Sequence, residues 1–153
     1  MAITSYDKYM PASGGKGKLA NYQDYSADTK AAAEDIPYGV AVQLGTDGET
    51  ITRVKAGGKP YGISLAQEIH DWVLKADDQK YLKYDPVAAV RKGVIWVQVD
   101  EDIVIGDGVV VDPTTSNFRP ADTATSGVIA FPSAAFKSSA QAGGLVQLEI
   151  NLP

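Results

Sequence analysis

The stretch Ala89–Val99, AVRKGVIWVQV, decides the fold. Side chains alternate sides along a strand, so Ile95, Val97 and Val99 share one face, while Val94, Trp96 and Gln98 share the other. A strand apolar on both faces is a central one, and Trp96 then belongs to a second core layer or to a subunit interface. Outward from it, Val87–Arg91, Tyr61–Ala66, Gly108–Asp112, Val128–Phe131 and Leu145–Ile150 read as further short strands separated by turn residues. In Tyr38–Leu44, Tyr38, Val40, Val42 and Leu44 face one way and Gly39, Ala41 and Gln43 the other; after the turn cluster Gly45–Gly48, Thr50–Lys55 completes a hairpin that ends at Gly57-Gly58. Many short strands with frequent turns predict an all-β fold, a β-sandwich or small, jelly-roll-like barrel.

Two segments depart from this texture. Residues 1–35 hold Tyr6, Tyr9, Tyr22 and Tyr25, the flexible run Ser13-Gly14-Gly15-Lys16-Gly17-Lys18, and almost no branched apolar residues. They are expected as an extended N-terminal arm, with residues 36–153 as the core. Lys8, Lys16 and Lys18 against Asp7 alone leave the first 20 residues positive, which suits docking on another surface. Within the arm, Ser26–Asp35 has capping residues and good helix formers and must stop before Pro37, so a short helix is expected there. Residues 67–84 are expected as an insertion between strands. Ile69, Trp72 and Val73 fit a helical turn in it, and Asp77-Asp78 fits a loop tip.

Composition excludes several function classes. The chain has 153 residues, enough for one domain, and a net charge of −5 that lacks the basic footprint of a nucleic-acid binder. No apolar run approaches the roughly 20 residues of a membrane-spanning helix, and no export signal stands out. Zero cysteines remove disulfides and thiolate chemistry, and the single histidine, His70, removes multi-histidine metal sites and most catalytic triads. Gly14–Lys18 resembles a phosphate loop only superficially, because Ala12 and Leu19 occupy its two diagnostic positions. Asp100, Glu101, Asp102 and Asp107 offer hard ligands or an acid-base pair, but their spacing fits no calcium loop. They read as a solvated turn between strands. Neither a metal, a cofactor nor an enzymatic activity is expected.

A family resemblance rests on AVRKGVIWVQV at Ala89–Val99, VIGDGVVVD at Val104–Asp112 and SSAQAGGLVQLEINLP at Ser138–Pro153, in that order. Ahead of these stand Gly17-Lys18-Leu19-Ala20, IPYGVAVQLGTDG at Ile36–Gly48 and KPYGISLA at Lys59–Ala66. Together they resemble the cement, or head decoration, proteins of tailed bacteriophages. The resemblance implies a non-enzymatic homodimer or homotrimer, made in the bacterial host cytoplasm, on the outer surface of the virion's head shell. There it would bridge neighbouring major capsid subunits without contacting nucleic acid or membrane. Tyr6, Tyr9, Lys16, Lys18, Leu19, Tyr22, Tyr25 and Trp72 are the expected capsid or subunit contacts. The long tyrosine-bearing arm and the region Gln67–Tyr84 depart from the family's plain pattern. An alternative reading is a carbohydrate- or receptor-binding β module of the virion, with Trp72, Tyr81 and Tyr84 as a stacking platform.

Overall fold

Strand pairing converges on one long strand, β7 (Pro86–Gln98), in a computed structural model that describes residues 15–67 and 79–153, with Tyr22 and Gln23 described by their backbone alone. The segments expected separately at Val87–Arg91 and Val94–Val99 are the two halves of this strand, continuous through Gly93. One edge of β7 carries β1 (Leu19–Ala32), antiparallel, from Pro86↔Ala31 to Ile95↔Leu19. The other edge is shared. Its first half pairs with β5 (Gly62–Ser64) at Ala89 and Val90, and its second half with β12 (Leu145–Asn151) from Lys92 to Gln98.

The first half of β7 belongs to a closed ring. From β1 the chain of pairings runs through β4 (Thr50–Arg53), which is parallel to it, then β3 (Ala41–Leu44), then β5, and returns to β7. Closure removes open edges from these short strands. The expected hairpin is present as β3 and β4, with Leu44 opposite Ile51, and Asp47 fixes its turn by accepting the Glu49 and Thr50 N–H groups. A small ribbon of β2 (Ile36–Pro37) and β6 (Lys80–Tyr81) packs against the ring. The second half of β7 continues through β12 to β11 (Ala134–Phe136). A three-stranded sheet of β8 (Val109–Val111), β9 (Phe118–Pro120) and β10 (Ile129–Ala130) packs over them.

The core follows the alternation along these strands. Val40, Val42, Ile51, Val87 and Ala89 form one apolar cluster with Ile36, Tyr38 and Tyr81. The neighbouring residues Ala41, Ile63 and Val90 turn the other way and join Ile95, Val97, Val99, Phe118, Phe136 and Leu148 in a second cluster. The all-β, barrel- and sandwich-like architecture expected from the sequence is therefore present, with two cores sharing β7.

The helix expected at Ser26–Asp35 is absent. Residues 26–31 pair with β7, and residues 31 and 32 with β4. Local helix propensity over this alanine-rich stretch amounts to a few tenths of a kcal/mol per residue, and pairing on two neighbouring strands outweighs it. Leu19, Ala31 and Ala32 are thus staves of the barrel, inside the segment expected as an arm. The expected helical turn at Ile69, Trp72 and Val73 lies outside the described residues.

Two glycines lock the start of β1 to the ring. The Gly17 N–H donates to the Trp96 carbonyl and its own carbonyl accepts the Ala66 N–H, both at 2.8 Å. Gly39, with φ +71°, passes so close that a Cβ there would stand 2.6 Å from the Gly17 nitrogen. Gly39→Ala is expected to cost about 2–4 kcal/mol through strained φ and the displaced Gly17, measured by chemical denaturation.

Tyr81 lies in the first core with its ring edge-on to Tyr38 at 5.2 Å, and its hydroxyl donates to the Leu65 carbonyl. Burial pushes its phenol up to about 12 from an ordinary 10, against a smaller opposing pull from the Ala88 N–H. Since the folded value is the higher, this contribution to stability is whole below pH 10 and is lost as pH rises towards 12. Tyr81→Phe should lower stability at pH 7 by about 1 kcal/mol. It should also flatten the loss of melting temperature between pH 10 and 12; an unchanged alkaline slope would count against this assignment.

Candidate functional site

The pairing between β1 and β7 shifts register at three points between Leu19 and Ala27, and the widest break lies between Asn21 and Ser26. Asn21 pairs with Val94 and Ser26 with Lys92, so four residues of β1, Tyr22 to Tyr25, stand opposite Gly93 alone. A bulge of this kind bends the strand and re-aims its side chains. Gly93 permits it: its φ is +135°, and a Cβ would lie 3.0 Å from that of Tyr25. Asp24, with φ +58°, reaches back to Lys92 at 3.0 Å and pins the bulge. Tyr25 is left 45% exposed.

The other expected contact residues divide. Lys16 is half-buried, with its Nζ 3.4 Å from Asn117 Oδ1. Desolvation lowers its pKa, partly offset by the charge of Asp100, so it is built into the molecule more than it projects as a basic tip. Lys18 is half-buried and its carbonyl accepts the Trp96 N–H. Leu19 is only 6% exposed and belongs to the second core, which removes it as a surface contact: period-2 alternation turns it towards Ile95 and its neighbours. Tyr6, Tyr9 and Trp72 lie outside the described residues, as does the side chain of Tyr22. The stacking platform of Trp72, Tyr81 and Tyr84 is not assembled as expected, because Tyr81 is 1% exposed and faces the core while Tyr84 is 77% exposed on a turn with φ +76°.

Of the four acidic residues, Asp100 and Glu101 converge, with Asp112, on an arginine that the spacing did not single out, whereas Asp102 accepts the Ala142 N–H and Asp107 the Val104 N–H. Arg119 on β9 donates through Nη1 to Glu101 at 2.6 Å and through Nε to Asp112 at 3.1 Å, and its Nη2 lies 3.7 Å from Asp100. Asp100 also accepts from Thr115 at 2.6 Å and from Asn117 at 2.9 Å. Hydrogen bonds from Thr123 and then Arg119 hold Glu101 below the usual carboxylate range. Burial alone would raise Asp112, but the Thr114 N–H and Arg119 outweigh it and the net shift is downward. A general acid needs the opposite shift, so this cluster is arranged as a structural clasp.

Two further features escaped the sequence reading. Val104 and Ile105 are each 63% exposed at a turn tip, and two branched apolar residues directly before Gly-Asp-Gly were a readable sign of it. On the barrel side, a groove of about 490 Å³ is walled by Leu44, Pro132, Leu152 and Pro153, with Lys59 and Arg91 at its rim. The Arg91 guanidinium stacks 4.1 Å from the centre of the Tyr61 ring, donates to the Tyr61 carbonyl at 2.7 Å and also to that of Pro153. The Tyr61 hydroxyl donates to Asp28 at 2.5 Å, a bond that raises its pKa and ties β1 to this corner. Sequence spacing carries no sign of the groove, because its lining comes from five separate parts of the chain.

Removing Arg119 strips Asp112, which is nearly buried, of its counter-charge. Arg119→Ala is expected to cost about 2 kcal/mol at pH 7, or roughly 4–8 °C in melting temperature. The depressed carboxylates contribute stability above their unfolded values and lose it as pH falls through the lower folded ones. The gap between the variant and the parent chain should therefore close in scans taken below about pH 4.

Comparison with known proteins accords with an architecture organised for contact. No curated protein matches the chain. Among solved structures, a chain in the capsid of the myovirus XM1 superposes with a TM-score of 0.71 at 16% identity, over 90% of this chain and 89% of that one. The N base of the head fiber gp8.5 of bacteriophage phi29 superposes at 0.54 with 17% identity, over 83% of this chain and 94% of the other. Both likenesses are of fold. The family model described as structural cement protein (E217 gp24/Pam3 gp6) matches residues 3–151. With nearly the whole length matched, the chain belongs to the phage structural cement protein family.

Proposed function

We propose that this protein binds the outer surface of a bacteriophage head shell and holds neighbouring major capsid subunits together. It acts as a homodimer or homotrimer, is made in the bacterial host cytoplasm, and performs no catalysis. The observation that carries this reading is the family match over residues 3–151. The physical character of the molecule agrees with it. A closed ring of strands with two apolar cores is stiff, so surfaces can be presented to a partner at little cost in ordering. Many weakly bound copies on one shell then add up by avidity. The net charge of −5 suits protein surfaces better than nucleic acid.

In this reading residues 1–14 and the β1 bulge supply the contacts, with Tyr6, Tyr9 and Tyr25 as amphipathic anchors of the kind enriched at interfaces. The test is binding to undecorated heads. The full chain should saturate them at a simple ratio to the major capsid subunit. Removing residues 1–14 should leave the melting temperature within about 2 °C and weaken binding roughly tenfold or more, since anchor residues dominate such interfaces. Tyr25→Ala should weaken binding without unfolding. A truncation through residue 25 is a different experiment, because it also removes Leu19 from the core and the Gly17 hydrogen bonds, and loss of folding is expected. Heads that take up none of the full chain would refute the proposal.

A further inference from the structure

The exposed tip at Val104 and Ile105 is rigid. The Val104 N–H donates to Asp107 Oδ2 at 3.0 Å, the Asp107 N–H returns to the Val104 carbonyl at 3.1 Å, and the Ile105 N–H donates to Ser139 Oγ at 3.1 Å. Gly106, at φ +92°, completes the turn and donates to the Phe136 carbonyl at 2.9 Å. Every backbone N–H of the tip is thus spoken for, and two branched apolar side chains are held out in water. Solvation explains neither the choice of Val and Ile there nor the bonding that fixes them. A preorganised apolar knob loses little entropy when a partner covers it.

The groove beside Arg91 is its complement. It is walled by Leu44, Pro132, Leu152 and Pro153 and rimmed by the cations Lys59 and Arg91. The knob is flanked by Asp102, which is exposed, and by Asp107, which is half-buried. An apolar knob between carboxylates thus matches an apolar groove between cations. Arg91 is partly offset by Asp28, at 3.7 Å, which leaves Lys59 as the principal rim charge.

Their placement fits a closed pair. Pro132 lies in the groove wall two residues before β11, and Phe136, the last residue of β11, receives the knob's Gly106 N–H. Groove and knob thus stand at the two ends of this three-residue strand. That strand is the last in its sheet. A twofold axis near it that seats one knob seats the other, which gives a closed pair.

We propose that two copies of this chain pair in this way, the Val104–Ile105 knob of each seated in the Arg91 groove of the other. The proposal deepens the cement reading by naming a subunit interface. Its test uses no heads, so the two stand or fall separately.

Sedimentation velocity on the full chain over a concentration series should show a monomer–dimer equilibrium. Ile105→Asp and Leu152→Asp should each weaken it tenfold or more, with unchanged melting curves for Ile105→Asp. Because the chain has no cysteine, I105C mixed with L152C gives a second reading that does not depend on stability. Oxidation should yield a mixed disulfide dimer on a non-reducing gel. A parent chain that stays monomeric, or a dimer indifferent to Ile105→Asp, would overturn the proposal. So would a groove variant that acts only when residues 1–14 are present, since that segment would then be the occupant. Dimers that fail on heads would overturn the cement reading and leave this interface standing.

Discussion

Everything in this molecule depends on β7 having both of its edges and both of its faces occupied. Thirteen residues pair with β1 along one edge and with β5 and then β12 along the other, so two apolar cores share a single backbone. The strand meets this demand because its side chains are apolar on both sides: Val87 and Ala89 enter the first core, and Val90, Ile95 and Val97 the second. Neither core would survive alone on the short strands around it, several of them only two to four residues long. Disturbing β7 therefore disturbs both cores, which makes their unfolding a single cooperative event.

Polar interactions refine this frame at its ends. Arg119 gathers Asp100, Glu101 and Asp112, and Arg91 gathers Asp28, Tyr61 and the carbonyl of Pro153. In each case a planar guanidinium joins parts of the chain far apart in sequence, a task to which its fixed fork of donors is suited. Both clusters draw the local charge into ion pairs and hydrogen bonds, and the Arg119 cluster holds Glu101 and Asp112 below the usual carboxylate range. Groups held in one protonation state at neutral pH are well placed to bind a surface and poorly placed to move protons.

The legible part of the fold was the part written in alternation. Ile95, Val97 and Val99 announced a central strand, the turn at Asp47 announced a hairpin, and the three C-terminal motifs announced the family. Residues 26–32 misled because alanines favour a helix locally, whereas their conformation is set by β7 and β4, which the sequence leaves distant. Leu19 looked like part of an arm because glycines and lysines surround it; only its pairing with Ile95 and packing in the second core bury it. Arg91 and Arg119 carry no local signature, since their partners come from up to 63 residues away, the separation of Arg91 and Asp28. Side chains with one period of alternation are readable one strand at a time, while a clasp or a groove exists only after the strands have met.

The same geometry bears on how a shell-bound subunit would carry load. The turn at residues 15–18 leads into β1, which runs antiparallel to β7. A pull along the axis of β1 would load the backbone hydrogen bonds on both sides of the Tyr22–Tyr25 bulge together instead of opening them one after another. The Gly17 clamp, with bonds to Trp96 and Ala66, stands ahead of them and takes the first of the strain. The bulge is the widest break in the ladder, and there Asp24 pairs with Lys92 across the gap. A family whose members stabilise a shell gains from attachment points that fail in shear rather than by peeling. β1, the strand that closes the ring, would meet such a load with no element added to the fold.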